Sequence, residues 1–243
     1  MPGQRLLGGA LSVQTGKSNM GSRIILFPTE RSLGKLTLQE PGNNYSRIML
    51  GEAMGQIVAP LDKEITLTID HSMMDFSALS KLAEDAVDIL NFNNTKVTDS
   101  DLRHIHHMAQ LKGLALWETD LGDGALKHIT HFRKLRWLDL GDTRISNNGL
   151  AALKGLISLE DLTLLNTEIG DLGIEHLESL PWLKRLDLMS SMVSDACIRR
   201  LKRFSSLRYL RIYQTRISEN GYLEIAEALP DCHIWFYRSN DLG

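Results

Sequence analysis

Thr95, Thr119, Thr143, Thr167, Ser191 and Thr215 fall 24 residues apart, and the residues around them keep the same phase. Eight, five and three positions before each hydroxyl stand apolar residues, such as Leu135, Leu138 and Leu140 ahead of Thr143. Two positions after it come Val97, Leu121, Ile145, Ile169, Val193 and Ile217. Each unit opens with the alternation of a strand and continues at helical spacing. One strand and one helical segment cannot bury their apolar faces alone, but stacked copies can. The period therefore predicts an α/β solenoid with a parallel sheet on its concave side and helices on its convex side.

The run Leu135-x-x-Leu138-x-Leu140-x-x-Thr143 resembles the leucine-rich repeat, and Ile145–Leu150 (I-S-N-N-G-L) is similar to the subtype of F-box-associated proteins and many bacterial arrays. The likeness covers about 87–230, with Thr or Ser where that family usually carries Asn or Cys. It implies the solenoid fold and a binding role. Four residues after each hydroxyl, Asp99, Asp123, Asn147, Asp171, Asp195 and Glu219 are expected to cap the helix that follows.

Outside the repeats, 1–22 reads as a disordered segment, its apolar run too short for a secretory signal core. Residues 23–70 read as a small β unit, with strands near 23–27, 36–38, 57–58 and 65–69. Residues 71–243 form the solenoid, with a capping helix over 75–83 and a terminal strand over 233–237. Strict phase turns Ile234 and Phe236 inward and leaves Trp235 outside; a last helix one residue longer would reverse this.

The alternate strand residues that point away from the core form the concave face. Its eighteen positions hold Trp117, Trp137, Tyr209 and Tyr213, whereas even placement of four Trp and five Tyr over 243 residues would put fewer than one there. Asp139, Asp161, Arg185, Asp187 and Arg211 stand among them, with Trp235 on the terminal strand. Aromatic rings beside Arg and Asp are the usual make-up of interaction hot spots. They also stabilise sheets without any ligand.

His104, His107, His128 and His131 repeat at 24-residue spacing on the convex side and form a weak candidate metal cluster. Helix axes about 8–10 Å apart argue against convergence of all four. No Gly-rich phosphate loop, H-E-x-x-H or G-x-S-x-G occurs. Cys197 occupies a small-residue column, which suggests an inert buried thiol; Cys232 beside His233 is a poor nucleophile–base pair. Two cysteines suggest reduced thiols and a cytoplasmic location.

Charge is balanced, 27 basic against 30 acidic residues, with 8 and 9 of these before residue 87. That excludes a basic nucleic-acid arm or a polybasic membrane patch. No run of about eighteen apolar residues is present to span a bilayer. The expectation is a non-enzymatic module, without cofactor, that binds a protein or peptide on its concave face. The alternative is an assembly part that forms a homo-oligomer through its terminal edge strand.

Overall fold

The computed structural model describes residues 16–17, 21–42 and 47–236. Thirteen strands are present among these: β1 (Gly16–Lys17), β2 (Ser22–Leu26), β3 (Gly34–Gln39), β4 (Arg47–Glu52), β5 (Gln56–Pro60), β6 (Glu64–Ile69), β7 (Ile89–Asn91), β8 (Gly113–Ala115), β9 (Trp137–Asp139), β10 (Asp161–Thr163), β11 (Arg185–Asp187), β12 (Tyr209–Arg211) and β13 (His233–Trp235). Most of 1–22 lies outside the described residues, but Gly16–Lys17 pairs with β2 rather than being unstructured.

A ten-stranded sheet runs in the order β4-β3-β6-β7-β8-β9-β10-β11-β12-β13. From β6 to β13 every pair is parallel, while β3 is antiparallel to both β4 and β6. Leu67, Leu90, Leu114, Leu138, Leu162, Leu186, Leu210 and Ile234 stand in register, one per rung. All but Ile234 are fully buried, which removes about 1.5–3 kcal/mol of side-chain transfer energy per leucine from water. Ile234 and Phe236 pack against the same core and Trp235 faces the concave side, as strict phase requires.

The boundary expected at residue 70 runs through this sheet. β6 is itself a rung, offset by 23 residues from β7. β3 and β4 extend the same sheet, and only β1, β2 and β5 form a separate three-stranded one. Where β3 meets β6, Gly34 has φ +143°, and a Cβ there would lie 2.0 Å from the Thr68 carbonyl oxygen, so only glycine fits.

Each of β7 to β12 is followed, three residues on, by a left-handed residue: Asn94, Glu118, Asp142, Asn166, Ser190 and Gln214 have φ of 50–57°. The hydroxyl that follows turns back on its own strand. Thr95, Thr119, Thr143, Thr167 and Thr215 donate to the carbonyl three residues earlier at 2.6–2.7 Å. Ser191 makes no such bond.

The convex side departs from regular helices. Ser77–Lys81, Asp99–Ile105, Gly149–Gly155 and Asp195–Cys197 are 3-10 turns. The α-helices α1 (Asp123–Leu126), α2 (Asp171–Leu177) and α3 (Ile198–Leu201) are short, and among the described residues only α4 (Glu219–Ala228) reaches ten residues. The capping helix expected over 75–83 is the first of the 3-10 turns. Strands repeat about every 4.8 Å, whereas packed α-helices need about 8–10 Å. Slim 3-10 segments, rising about 2.0 Å per residue, span each coil with less splay.

The acidic column also acts differently from the expectation. The caps are Thr98, Gly122, Asn148, Gly170, Ser194 and Ser218. Asp99, Asp123, Asn147, Asp171 and Asp195 instead reach into the next coil, each accepting from the backbone N–H of the residue 23 positions later at 2.7–2.9 Å. Small residues clear the way: a Cβ on Gly149 would lie 2.3 Å from Asp123 Oδ1, and one on Gly221 2.4 Å from Asp195 Oδ1.

Candidate partner-binding face

The concave surface is built from the outward residues of β7 to β13, and its two halves differ. In the N-terminal half the indoles serve the sheet. Trp137 lies across Gly113, where a Cβ would come within 2.9 Å of its ring, and Trp117 lies across Gly141, where it would come within 2.8 Å. Trp117 Nε1–H donates to Asp142 Oδ2 at 2.5 Å, and Asn166 donates to the other oxygen of that carboxylate. The two indoles thus cover glycines on neighbouring rungs. Trp117 is locked by hydrogen bonds, and Trp137 also lines the C-terminal half.

There the charges pair along the sheet. Arg185 Nη1 donates to Asp161 Oδ2 at 3.3 Å, and Arg211 Nη1 donates to Asp187 Oδ2 at 3.0 Å. Each guanidinium also lies over a ring on the following rung: Arg185 is 5.2 Å from the centre of Tyr209, and Arg211 5.4 Å from that of Trp235. The two rings stack at 5.9 Å and 22°. The result is one device built twice, a carboxylate, a guanidinium and an aromatic ring on three successive strands. A cavity of about 420 Å³ opens over it, walled by Trp137, Thr163, Tyr209 and Trp235 beside these charges. Tyr209 is 42% exposed, while Tyr213 is half-buried.

Asp139 is the exception, since no cationic side chain pairs with it among the described residues. Its Oδ1 accepts from Gly141 N–H at 3.0 Å. Burial holds its carboxyl above the ordinary range, and the charges of Asp187, Asp161 and Asp142 add to this against the Gly141 bond. Burial also raises Asp161, although Arg185 opposes the shift.

The convex histidines do not converge on one point. His107 Nε2 is hydrogen-bonded to the Leu82 carbonyl at 2.8 Å and His131 Nε2 to the His106 carbonyl at 2.5 Å. These rings tie one coil to the previous one, and His131 packs on His106, a residue outside the expected set. Among the described residues no group of three or more His, Cys, Asp or Glu is placed to hold a metal, so His104 and His128 complete no cluster. Burial, with Asp171 beside it, pushes the Cys197 thiol up to about 12. Burial pushes Cys232 up to about 11, and its neighbour His233 turns its ring to Trp235.

Sequence reasoning missed Trp182. It is 61% exposed and lies in the turn before β11, beside a groove lined by Pro181, Arg203 and Phe204. Its column is neither strand nor helix, so periodicity gave no signal. No helix among the described residues is long and apolar enough to cross a membrane.

No family model matches the chain, and no curated protein matches it. Solved structures do. An internalin (InlF) of Listeria monocytogenes is 20% identical, with a TM-score of 0.56, over 70% of this chain and 52% of that protein. A leucine-rich-repeat protein of Leptospira interrogans is also 20% identical, with a TM-score of 0.51, over 66% of this chain and 38% of the other. The chain thus spans about half or less of each. Hydroxyl-terminated rungs, a parallel concave sheet and these likenesses agree: in fold, the chain is a leucine-rich-repeat solenoid.

Proposed function

We propose that this chain is a non-enzymatic interaction module that holds a protein or peptide segment across the C-terminal half of its concave sheet, over β9 to β13. The observation that carries this is the cavity over Thr163, walled by Trp137, Tyr209 and Trp235. Arg185 and Arg211 are already held by Asp161 and Asp187, so the surface is preorganised and loses little ordering entropy on binding. Trp117 is left out of the contact set, because its indole N–H is spent on Asp142. A cytoplasmic setting belongs to the same reading and rests on the two free thiols.

Photocrosslinking tests it. A photoreactive residue at Arg211 should capture partners that a Tyr209→Ala/Trp235→Ala chain loses, while the same probe at Arg199 on the convex side captures none of them. Equal capture from both faces would end the proposal.

A second reading rests on the terminal coil. β13 ends the ten-stranded sheet, and Ile234 and Phe236 are only partly buried where Leu210 and Ile212 are fully so. Among the described residues no strand pairs with the outer edge of β13, and such an edge pairs readily with another chain. Light scattering that shows a dimer, abolished by truncation after Pro230, would favour assembly over capture.

A further inference from the structure

We propose that the concave face reads an arginine of its partner, seated over Thr163 between Asp139 and Asp187; this rests on the concave-face reading above. The argument comes from a carboxylate–guanidinium pairing made twice and left unmade at a third carboxylate. Asp161, Arg185 and Tyr209 occupy one row on β10, β11 and β12. Asp187, Arg211 and Trp235 occupy the next row on β11, β12 and β13. In both rows a carboxylate binds the guanidinium one rung on, and that guanidinium lies over a ring on the rung after it.

Asp139 on β9 is the third carboxylate, in the same row as Asp187 with Thr163 between them. The position where the guanidinium should stand is Thr163, in register with Asp139 on one side and Asp187 on the other. Threonine is too short to reach either carboxylate as a cation would, and it carries no charge. The space above it is part of the cavity that Trp137 walls. Adjacent strands lie about 4.8 Å apart, so a flat guanidinium laid over Thr163 has Asp187 in the cavity wall on one side and Asp139 one rung away on the other. Its forked donors match carboxylate geometry better than an ammonium does, and it stacks on indole. A carboxyl held partly out of water with Asp187, Asp161 and Asp142 near it resists ionisation, and a bound cation relieves that. The same charges disfavour an acidic partner.

The test is selection of a random displayed peptide library on the intact chain, followed by titration of the enriched peptides. Expected is enrichment of one arginine position. Replacing that arginine by lysine, or using Asp139→Asn in the protein, should weaken binding about tenfold. Asp139→Asn keeps the acceptor for Gly141, so a loss reports the charge rather than a collapsed turn. Thr163→Arg, which supplies the guanidinium from within, should compete with the peptide and weaken it similarly. Peptides that lack arginine but still need Tyr209 and Trp235 would overturn this inference and leave the concave-face reading standing. No peptide dependent on any concave residue would overturn both.

Discussion

Asp139 works against the fold at neutral pH. Its native carboxyl titrates above the ordinary range, first through burial and then through its anionic neighbours. The folded state thus binds the proton more tightly than the unfolded chain, and the associated stability is present at acid pH and lost as pH rises through the native value. Asp139→Asn should therefore raise the melting temperature at neutral pH, and the gain should vanish below the ordinary carboxylate range, where both side chains are neutral. Equal melting temperatures at neutral pH would refute the electrostatic account. A residue that costs stability where it sits is what a binding surface, rather than a purely structural sheet, is expected to keep. Several of its neighbours on the face are instead held within the sheet: Trp117 by Asp142, Arg185 by Asp161 and Arg211 by Asp187.

The coil is the next scale, and its main polar device crosses from one coil to the next. Asp171 accepts from both the backbone N–H and the hydroxyl of Ser194, each at 2.7 Å. Asp123 does the same for Ser146. Asp171→Ala leaves that N–H without its acceptor at a half-buried site and should cost about 1–3 kcal/mol in chemical denaturation. Asp171→Asn should recover part of it, because an amide oxygen remains. An unchanged midpoint for the alanine variant would mean that water replaces the ladder. The column is visible in the sequence, but the partner of each side chain is not: it lies in the next coil. Local capping rules look a few residues ahead, whereas the acceptor here serves an N–H 23 residues away. The 3-10 character of the convex turns was likewise hidden, since helical spacing of apolar residues is satisfied by both kinds of turn.

At the scale of the molecule, one buried carboxylate joins the three-stranded N-terminal sheet to the solenoid. Asp88 accepts from Ile65 N–H of β6 at 2.9 Å, pairs with Arg23 of β2 and lies 3.0 Å from Lys112 Nζ, which also reaches Glu64 at 3.3 Å. Burial alone would raise its pKa, but the Ile65 bond and the two cations together hold it below the ordinary range. Its contribution is present above the unfolded value and lost as pH falls through the native one. Asp88→Ala takes from the mostly buried Arg23 its carboxylate partner and leaves Lys112 with Glu64 alone, and should cost about 3–5 kcal/mol. Limited proteolysis should then cut first in the region of β2 to β5, with β9 to β13 protected. Simultaneous digestion of both regions would show that the two parts do not unfold separately.

The six clear coils, their inward columns and the register of Ile234 were legible because a 24-residue period forces equivalent residues into equivalent places. β6 escaped as a rung because its offset from β7 is 23, and β4 gave no alternating signal, with Ile48 and Met49 both exposed. The sequence by itself determined that this chain coils and which side chains line the inner wall, since periodicity and burial are properties of one coil repeated. Tertiary structure decided which of those side chains remain free. Trp117 and Trp137 look alike in the sequence, yet one is bound to Asp142 and the other walls a cavity. Asp139, Asp161 and Asp187 look alike too, yet two meet an arginine on the next rung and one meets a threonine. Pairing between rungs depends on what stands about 4.8 Å away across the sheet, a distance that no stretch of local sequence records.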